Sequence, residues 1–233
     1  MLILFFTSYY FLIGTVLASF AALCGQRIGS QQCPWAPPRS YCDACHIRLR
    51  WWQLIPILGY LIQGGHCHYC RQPIPVFFPL SELLAGTAAA LLCGPGLGDS
   101  AAFFIVITTL VGLASNDFFY QFIYPVGLLG LFPLFFCTHH QNWTWENMIA
   151  SALLLLFLAC CCLTSYLGIG DGEFLLVVTF TIGWYPTLYV IMLGSFFTLL
   201  LTLRMPIKEK IPFIPGLAAA LAMVLILLKN EII

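Results

Sequence analysis

The chain has 233 residues, of which 61% are hydrophobic and only 8% are charged. A soluble domain carries about 25% charged residues, so this sequence cannot give a globule a water-facing surface. Its nine basic and nine acidic residues cancel, which excludes a basic surface for nucleic acid, and a secreted disulfide scaffold would be smaller and more polar.

The apolar stretches predict an all-α polytopic membrane protein with about eight transmembrane helices, since one span needs about 20 apolar residues. Residues 1–24 form the first stretch, which lacks a basic leading segment and a cleavage site, so we expect a retained membrane helix. The other spans are predicted at 76–93, 100–115, 119–137, 148–167, 173–185, 186–203 and 212–229. The predicted units are a first helix at 1–24, a polar loop domain at 25–75 and a transmembrane core at 76–233.

Basic residues set the predicted orientation, because loops rich in Lys and Arg stay in the cytoplasm. Five arginines lie between the first two predicted spans, and Arg204, Lys208 and Lys210 lie between the last two. With eight spans, both loops lie on the same side of the membrane. Lys229 is the only basic residue that falls on the opposite side. We therefore expect the N-terminus outside and the 25–75 loop in the cytoplasm.

The 25–75 loop contains two CxxC pairs, Cys42-Asp-Ala-Cys45 and Cys67-His-Tyr-Cys70. Two such turns can present four thiolates in a tetrahedron, which is the ligand set of structural zinc. A cytoplasmic loop disfavours disulfides, although disulfides and free thiols remain alternatives. The pattern predicts a zinc-ribbon-like loop with a closed, structural metal site at Cys42, Cys45, Cys67 and Cys70.

An apolar patch, Trp51–Ile62, lies between the two CxxC pairs. It is too short to cross a bilayer. We expect it either to pack against the loop's own fold or to lie in the membrane interface.

Two aspartates lie at predicted span ends, where an ionisable side chain is a functional hypothesis by default. Asp117 follows the third span, and Asp171 precedes the sixth in the sequence Gly168-Ile-Gly170-Asp171. The predicted orientation brings both to the cytoplasmic face. Paired aspartates can share a proton and activate a water molecule against an amide. The alternative is that both are solvated acids at helix ends, but Gly168 and Gly170 would let another segment come close to Asp171.

Several features occur in one order that is typical of a known family. They are Ser19-Phe20 with Arg27, the double CxxC, Leu54-Ile-Pro56 with Tyr60-Leu61, Pro79-Leu-Ser-Glu82-Leu-Leu, Asp117, Gly168-Ile-Gly170-Asp171, and Ile211-Pro-Phe213-Ile-Pro215. Over nearly its whole length the chain resembles the type IV prepilin peptidases, including those of bacterial competence and type II secretion systems.

The resemblance implies a GxGD-type aspartic endopeptidase in the bacterial cytoplasmic membrane, with the lipid bilayer around it. Such an enzyme removes the basic leader of type IV prepilins or pseudopilins at the cytoplasmic face, before the substrate's apolar helix. Asp117 and Asp171 correspond to the catalytic pair, and Gly168 and Gly170 to backbone of the active site. Many members also methylate the new N-terminus with S-adenosylmethionine, so cleavage with methyl transfer and cleavage alone both stay open.

Acidic residues near the site are further candidates, because the substrate leader is basic. Glu82 and Glu173 are candidate contacts for substrate or methyl transfer, and so is the loop around Arg48. The family commonly has a lysine where this chain has Glu173, a departure that puts a like charge near Asp171 and bears on methyl transfer more than on proteolysis.

Two functions of other classes fit parts of the pattern. A proton-coupled transporter predicts acids near the bilayer midplane and an inverted repeat, whereas these acids lie at span ends. A membrane scaffold that binds partners through a zinc ribbon accounts for the cysteines and leaves the aspartates without a role.

Overall fold

The structure is a computed structural model that describes residues 2–34, 39–94, 96–137, 144–203 and 211–230. Within those residues the secondary structure is helical, apart from two isolated β-bridges, Tyr41–Arg48 and His66–Pro73. The α-helices are α1 (Leu2–Gly29), α2 (Leu58–Ile62), α3 (Phe77–Leu92), α4 (Leu97–Tyr120), α5 (Leu134–Cys137), α6 (Trp145–Leu163), α7 (Ile169–Ile182), α8 (Trp184–Thr202) and α9 (Ile214–Lys229). Two 3₁₀ helices occur at Trp51–Leu54 and Pro125–Leu131. The all-α prediction is confirmed.

Four helices in the described part of the chain are long and apolar enough to cross a membrane. They are Leu4–Gly29, Gly98–Tyr120, Trp145–Leu163 and Trp184–Thr202. The apolar segments Phe77–Leu92, Pro125–Cys137 and Ile214–Lys229 are shorter, and α7 has 14 residues. The chain is a polytopic membrane protein, but the predicted count of about eight spans is not confirmed.

The predicted span at 119–137 is not one helix. α4 continues to Tyr120, where Gln121 turns the chain with a left-handed φ of 55°. A 3₁₀ helix then begins at Pro125 and ends before Pro133. Proline lacks the N–H that a continuous α-helix needs, and hydropathy alone does not register such breaks. The longer α4 places Asp117 inside a helix instead of after its end.

Small residues let the long helices approach each other closely. Gly25 of α1 lies against the carbonyl of Gly112 in α4, and Gly216 of α9 lies against Thr198 of α8. Backbones meet in this way only where no side chain separates them, which is the usual packing of helices in membranes. The hydroxyl of Ser115 also donates a 2.7 Å hydrogen bond to the carbonyl of Ala22, so α1 and α4 are held in register.

Lys229 is the basic residue that lies on the opposite side of the membrane from the others in the predicted orientation. In the structure its side chain binds backbone carbonyls at the end of α3. Its Nζ donates to the carbonyls of Leu91 at 3.0 Å and Leu92 at 2.8 Å. The last carbonyls of a helix have no partner within that helix, so Lys229 caps the C-terminus of α3. The three basic residues of the last predicted cytoplasmic loop, Arg204, Lys208 and Lys210, lie outside the described residues.

The patch Trp51–Ile62 forms the first 3₁₀ helix and α2. Trp52 packs edge-on against the ring of His68, with ring centroids 5.8 Å apart, whereas Trp51 is 77% exposed. Part of the patch therefore packs against the loop's own fold, and part of it, including Leu58 and Leu61, presents apolar surface.

Candidate active site

Asp117 is buried near the end of α4 and is held by the start of α9. Its side chain is only 7% exposed, and its Oδ2 accepts a 3.0 Å hydrogen bond from the backbone N–H of Ile214. The N–H of Phe213 also donates to this carboxyl group. The first N–H groups of a helix lack partners within it and favour negative charge, so the α9 N-terminus fixes the orientation of Asp117.

Asp171 lies in the first turn of α7 and is partly buried. Its Oδ2 lies beside Gly168, where a Cβ would come within 2.9 Å of that oxygen. Gly170 faces the chain that follows α4, since a Cβ there would lie 2.9 Å from Cδ1 of Ile123. The two glycines thus leave space for the carboxylate and for a close approach of α7 to the side chain of Ile123.

This approach brings the two carboxyl groups within electrostatic range of each other. Asp117 and Asp171 are close enough to interact electrostatically, and Asp117 is the charged neighbour that acts on Asp171. Two nearby carboxylates cannot both ionise at low cost, so such a pair holds one proton between them. An ionised and a protonated carboxyl side by side can activate water and polarise a carbonyl.

An aromatic cluster sets the position of Asp117 relative to α3. The ring of Phe77 stacks on that of Phe118 with centroids 4.8 Å apart, and Phe78 and Phe119 pack with centroids 5.6 Å apart. These rings join the start of α3 to the two residues that follow Asp117. The sequence analysis did not identify this cluster, because a run of phenylalanines in an apolar segment has no distinguishing signal.

The contact between Asp117 and α9 was also missed, although a signal existed. Pro215 lies in the first turn of α9, and proline there is typical of a helix start. A helix start binds carboxylates, so the stretch from Ile211 to Pro215 could have been assigned as the partner of a buried acid.

Glu82 has a different surrounding from the aspartates. It is 7% exposed on α3, and its Oε2 accepts a 2.7 Å hydrogen bond from the backbone N–H of Ile57. Ser19 of α1 also hydrogen-bonds to it. Ile57 has a positive φ of 61°, which a β-branched residue rarely adopts, so Glu82 holds a strained point of the 25–75 loop against the helices.

Glu173 lies two residues after Asp171 on α7 and is partly exposed. Residues two apart on a helix do not face each other. The like charge expected near Asp171 therefore points away from it along the helix surface, and Asp117 is the acid that interacts with Asp171.

The four cysteines come together in the loop. The sulfur atoms of Cys42, Cys45, Cys67 and Cys70 lie within 4.8 Å of one another, and Cys42 Sγ is 3.8 Å from Cys70 Sγ. Zinc–sulfur bonds of about 2.3 Å in a tetrahedron place sulfurs about 3.8 Å apart, so the donor set fits zinc.

The two cysteine turns share one backbone design. His46 donates from its N–H to the carbonyl of Cys42, and Arg71 donates in the same way to Cys67. Both donors have left-handed φ values, 55° and 60°. A hydrogen bond from the backbone N–H of Cys70 lowers the pKa of the Cys67 thiol to about 7, which favours the thiolate that a metal binds.

Two family models cover most of the chain. The one described as Bacterial Peptidase A24 N-terminal domain matches residues 12–94. The one described as Type IV leader peptidase family matches residues 103–203, a range that includes both aspartates.

Three similar proteins are named prepilin leader peptidase/N-methyltransferase. That of Bacillus subtilis (strain 168) is 29% identical over 230 residues, which cover 91% of this chain and 90% of the relative. That of Burkholderia pseudomallei (strain 1026b) is 31% identical over 78% of this chain and 65% of the relative, and that of Dickeya chrysanthemi is 30% identical over 82% and 74%. No solved structure gives a significant match.

Proposed function

This chain belongs to the type IV leader peptidase family, and on that premise we propose that it removes the leader peptide from type IV prepilins or pseudopilins. Asp117 and Asp171 are the catalytic pair of this proposal. The observation that carries it is their juxtaposition: two acids from different helices interact with each other, one of them held by the start of α9.

The proposed reaction is hydrolysis of one peptide bond by water. The ionised member of the pair takes a proton from water, and the protonated member donates a hydrogen bond to the substrate carbonyl. The hydroxide forms a bond to the carbonyl carbon, and the amine leaves with the proton that the pair returns. Because Oδ2 of Asp117 already accepts from Ile214, its other oxygen is the one available for water.

The positions of the acids favour a peptidase over a transporter. Asp117 lies one turn before the end of α4, and Asp171 lies in the first turn of α7. Acids at helix ends meet a substrate segment that enters from the membrane surface, whereas a proton relay places its acids near the midplane. We assign the site to the cytoplasmic face of the bacterial inner membrane, with Arg48, Arg50 and Arg71 on the same side.

The proposed metal is one zinc ion bound by the four cysteines. All four ligand positions are occupied by protein sulfur, so zinc there stabilises the loop and supplies no catalytic water. Glu82 then keeps this loop next to α3 and α1.

Methyl transfer to the new N-terminus is a second proposed activity, supported by the names of the relatives. Glu82 does not fit as a ligand for S-adenosylmethionine, because its carboxylate is buried and occupied by Ile57 and Ser19. Measuring the mass of the mature pilin N-terminus shows whether it carries a methyl group, and this result does not depend on the cleavage assay.

The test of cleavage replaces each aspartate separately in cells that lack their own prepilin peptidase. We expect Asp117→Asn and Asp171→Asn each to leave a co-expressed prepilin at its precursor size on a gel. Asp99→Asn is the matched control, since Asp99 is an exposed acid in the first turn of the same helix α4. Processing by both active-site variants would rule out the aspartic mechanism.

A further inference from the structure

The exposed and buried side chains of the patch Trp51–Ile62 are distributed in the opposite way from those of a loop in water. Leu58, Leu61 and Ile62 are 53%, 62% and 63% exposed, whereas Gln53 is only 7% exposed. The three apolar residues are spaced so that they lie on one face of α2, and we call them the α2 stripe. An exposed apolar face beside a buried polar side chain indicates an apolar partner, and the part of the chain that the structure describes leaves this face uncovered.

The buried polar groups of this segment are paired within it. Gln53 Nε2 donates a 2.9 Å hydrogen bond to Oε1 of Gln63, and Gln53 Oε1 accepts from the backbone N–H of Arg50 at 2.7 Å. Gln63 Nε2 donates in turn to the carbonyl of Gly59 at 2.8 Å. Lipid offers no hydrogen bonds to such groups, so a segment at membrane depth has to pair them internally, as these glutamines do.

Contacts with α1 place the patch deeper than the cysteine cluster. Glu82, which accepts from the N–H of Ile57, also hydrogen-bonds to Ser19 of α1. Asp43 of the first cysteine turn instead accepts a 3.0 Å hydrogen bond from Gln26, near the end of α1. Ser19 and Gln26 are separated by about 10 Å along the helix, at about 1.5 Å per residue. The patch therefore lies about 10 Å closer to the middle of α1 than the cysteine cluster does.

That level is within the hydrocarbon core of a membrane. The core is about 30 Å thick and takes up about 20 residues of a helix. Since α1 begins at Leu2, even a core that starts at its first residue extends past Ser19. α2 begins one residue after Ile57 and is about 8 Å long, so it lies between the acyl chains and their boundary with the headgroups.

The residues just outside the patch match the headgroup layer, which is about 5–8 Å thick on each side. Arg48 forms a β-bridge with Tyr41 beside the first cysteine turn, and Arg50 directly precedes the first 3₁₀ helix. Both arginines are exposed, and guanidinium groups bind phosphate with paired hydrogen bonds. The exposed Trp51 follows them, and tryptophan is enriched at this boundary of a bilayer.

We propose that the α2 stripe is inserted among the acyl chains of the leaflet next to the cysteine cluster, with Arg48 and Arg50 against its phosphate headgroups. α2 is then an interfacial anchor that lies in the leaflet without crossing it, and it holds the cysteine cluster at the membrane surface. Lipid is the partner because the stripe is exposed at the depth of acyl chains. This inference concerns the place of the loop in the membrane and does not depend on the cleavage reaction.

Photo-crosslinking identifies what covers the α2 stripe. The full-length protein carries p-benzoylphenylalanine in place of Leu61 or, as the matched control, in place of Ile47, an exposed apolar residue of the first cysteine turn. After irradiation in bacterial membranes, mass spectrometry identifies the adducts. We expect adducts with phospholipid acyl chains at position 61 and none at position 47. Equal acyl-chain adducts at both positions, no lipid adduct at position 61, or an adduct with another protein there would overturn the proposal.

A charge substitution tests the same placement through local stability. Leu61→Glu keeps a good helix former but puts a carboxylate among acyl chains, so amide hydrogen exchange of α2 in lipid nanodiscs should become about tenfold faster or more. Ile47→Glu and Leu61→Met should exchange at the rate of the unaltered protein. A stripe that faces water predicts unchanged or slower exchange in Leu61→Glu, and that result would overturn the insertion of α2. The crosslinking result holds even where Leu61→Glu does not fold.

Discussion

Gly170→Ala is the smallest change that tests whether close packing at α7 sets the geometry of the aspartate pair. The added Cβ would lie 2.9 Å from Cδ1 and 3.2 Å from Cβ of Ile123. Carbon atoms in contact keep about 3.5–4.0 Å, so the overlap is roughly 0.6–1 Å. Ile123 is only 8% exposed and has little free space, so part of this overlap moves the start of α7.

The expected consequence is a displaced Asp171. A misplacement of about 1 Å in a catalytic group can cost about a hundredfold in rate, and an overpacked contact costs about 1–3 kcal/mol. We therefore expect kcat for prepilin cleavage to fall between about tenfold and about a hundredfold. KM should change less than kcat, because the added methyl group acts on the position of Asp171.

The assay is the initial rate of prepilin cleavage in proteoliposomes, measured for a double-mutant cycle. Ile123→Ala removes Cδ1, the atom nearest to the new Cβ, and leaves only Cβ at 3.2 Å, so Gly170→Ala should cost clearly less in that background. Gly98→Ala is the control, since Gly98 is also the second residue of its helix and its surroundings are open. An unaltered kcat in Gly170→Ala, or an equal loss with and without Ile123, would refute the reasoning.

Three further predictions concern the loop and the helix ends. Cys67→Ser should abolish the binding of zinc by the purified protein, measured by atomic emission, and should make the 25–75 loop sensitive to trypsin, as zinc chelation should in the unaltered protein. Glu82→Gln should keep the loop protected from trypsin, because an amide oxygen can still accept from the N–H of Ile57. Glu82→Ala should lower the free energy of unfolding by about 1–3 kcal/mol. Equal behaviour of the two variants would contradict the contact between Glu82 and Ile57. Lys229→Met should lower stability by about 1 kcal/mol through loss of the α3 cap, seen as a lower melting temperature with an unchanged cleavage rate.

Much of the chemistry could be predicted because it depends on residue type and short spacing. A CxxC turn presents two sulfurs from one local segment, so the pairing of Cys42 and Cys45 follows from the sequence alone. The Gly168 to Asp171 motif likewise predicts an acid at a helix start with space beside it. The sequence also predicted that Cys67 and Cys70 complete the ligand set with Cys42 and Cys45. The structure adds the distances between the four sulfur atoms and the contact of Gly170 with Ile123.

Other features could not be predicted because they depend on contacts between distant segments. No local pattern indicates that Glu82 accepts from the strained backbone of Ile57. Pro215 marks the start of α9, but it does not indicate that Asp117 is the acid that this helix start binds. Glu82 was a candidate for substrate contact on its charge alone, and its burial against the loop was decided by packing. The buried oxygen of Asn116, which has no hydrogen-bond partner among the described residues, is likewise visible only once α1 covers α4.

By itself the sequence determined that this is an α-helical membrane protein. A charge content of 8% excludes a solvated globule. Apolar stretches of spanning length require helices, since lipid satisfies no backbone hydrogen bonds. Hydropathy is an average over neighbouring residues, so it could not register the breaks that divide 119–137 or the continuation of α4 through Asp117. Only the tertiary structure decided what surrounds the two aspartates, because the close approach of Ile123 depends on the side chain that is absent at Gly170, and the orientation of Asp117 depends on the backbone donors at the start of α9.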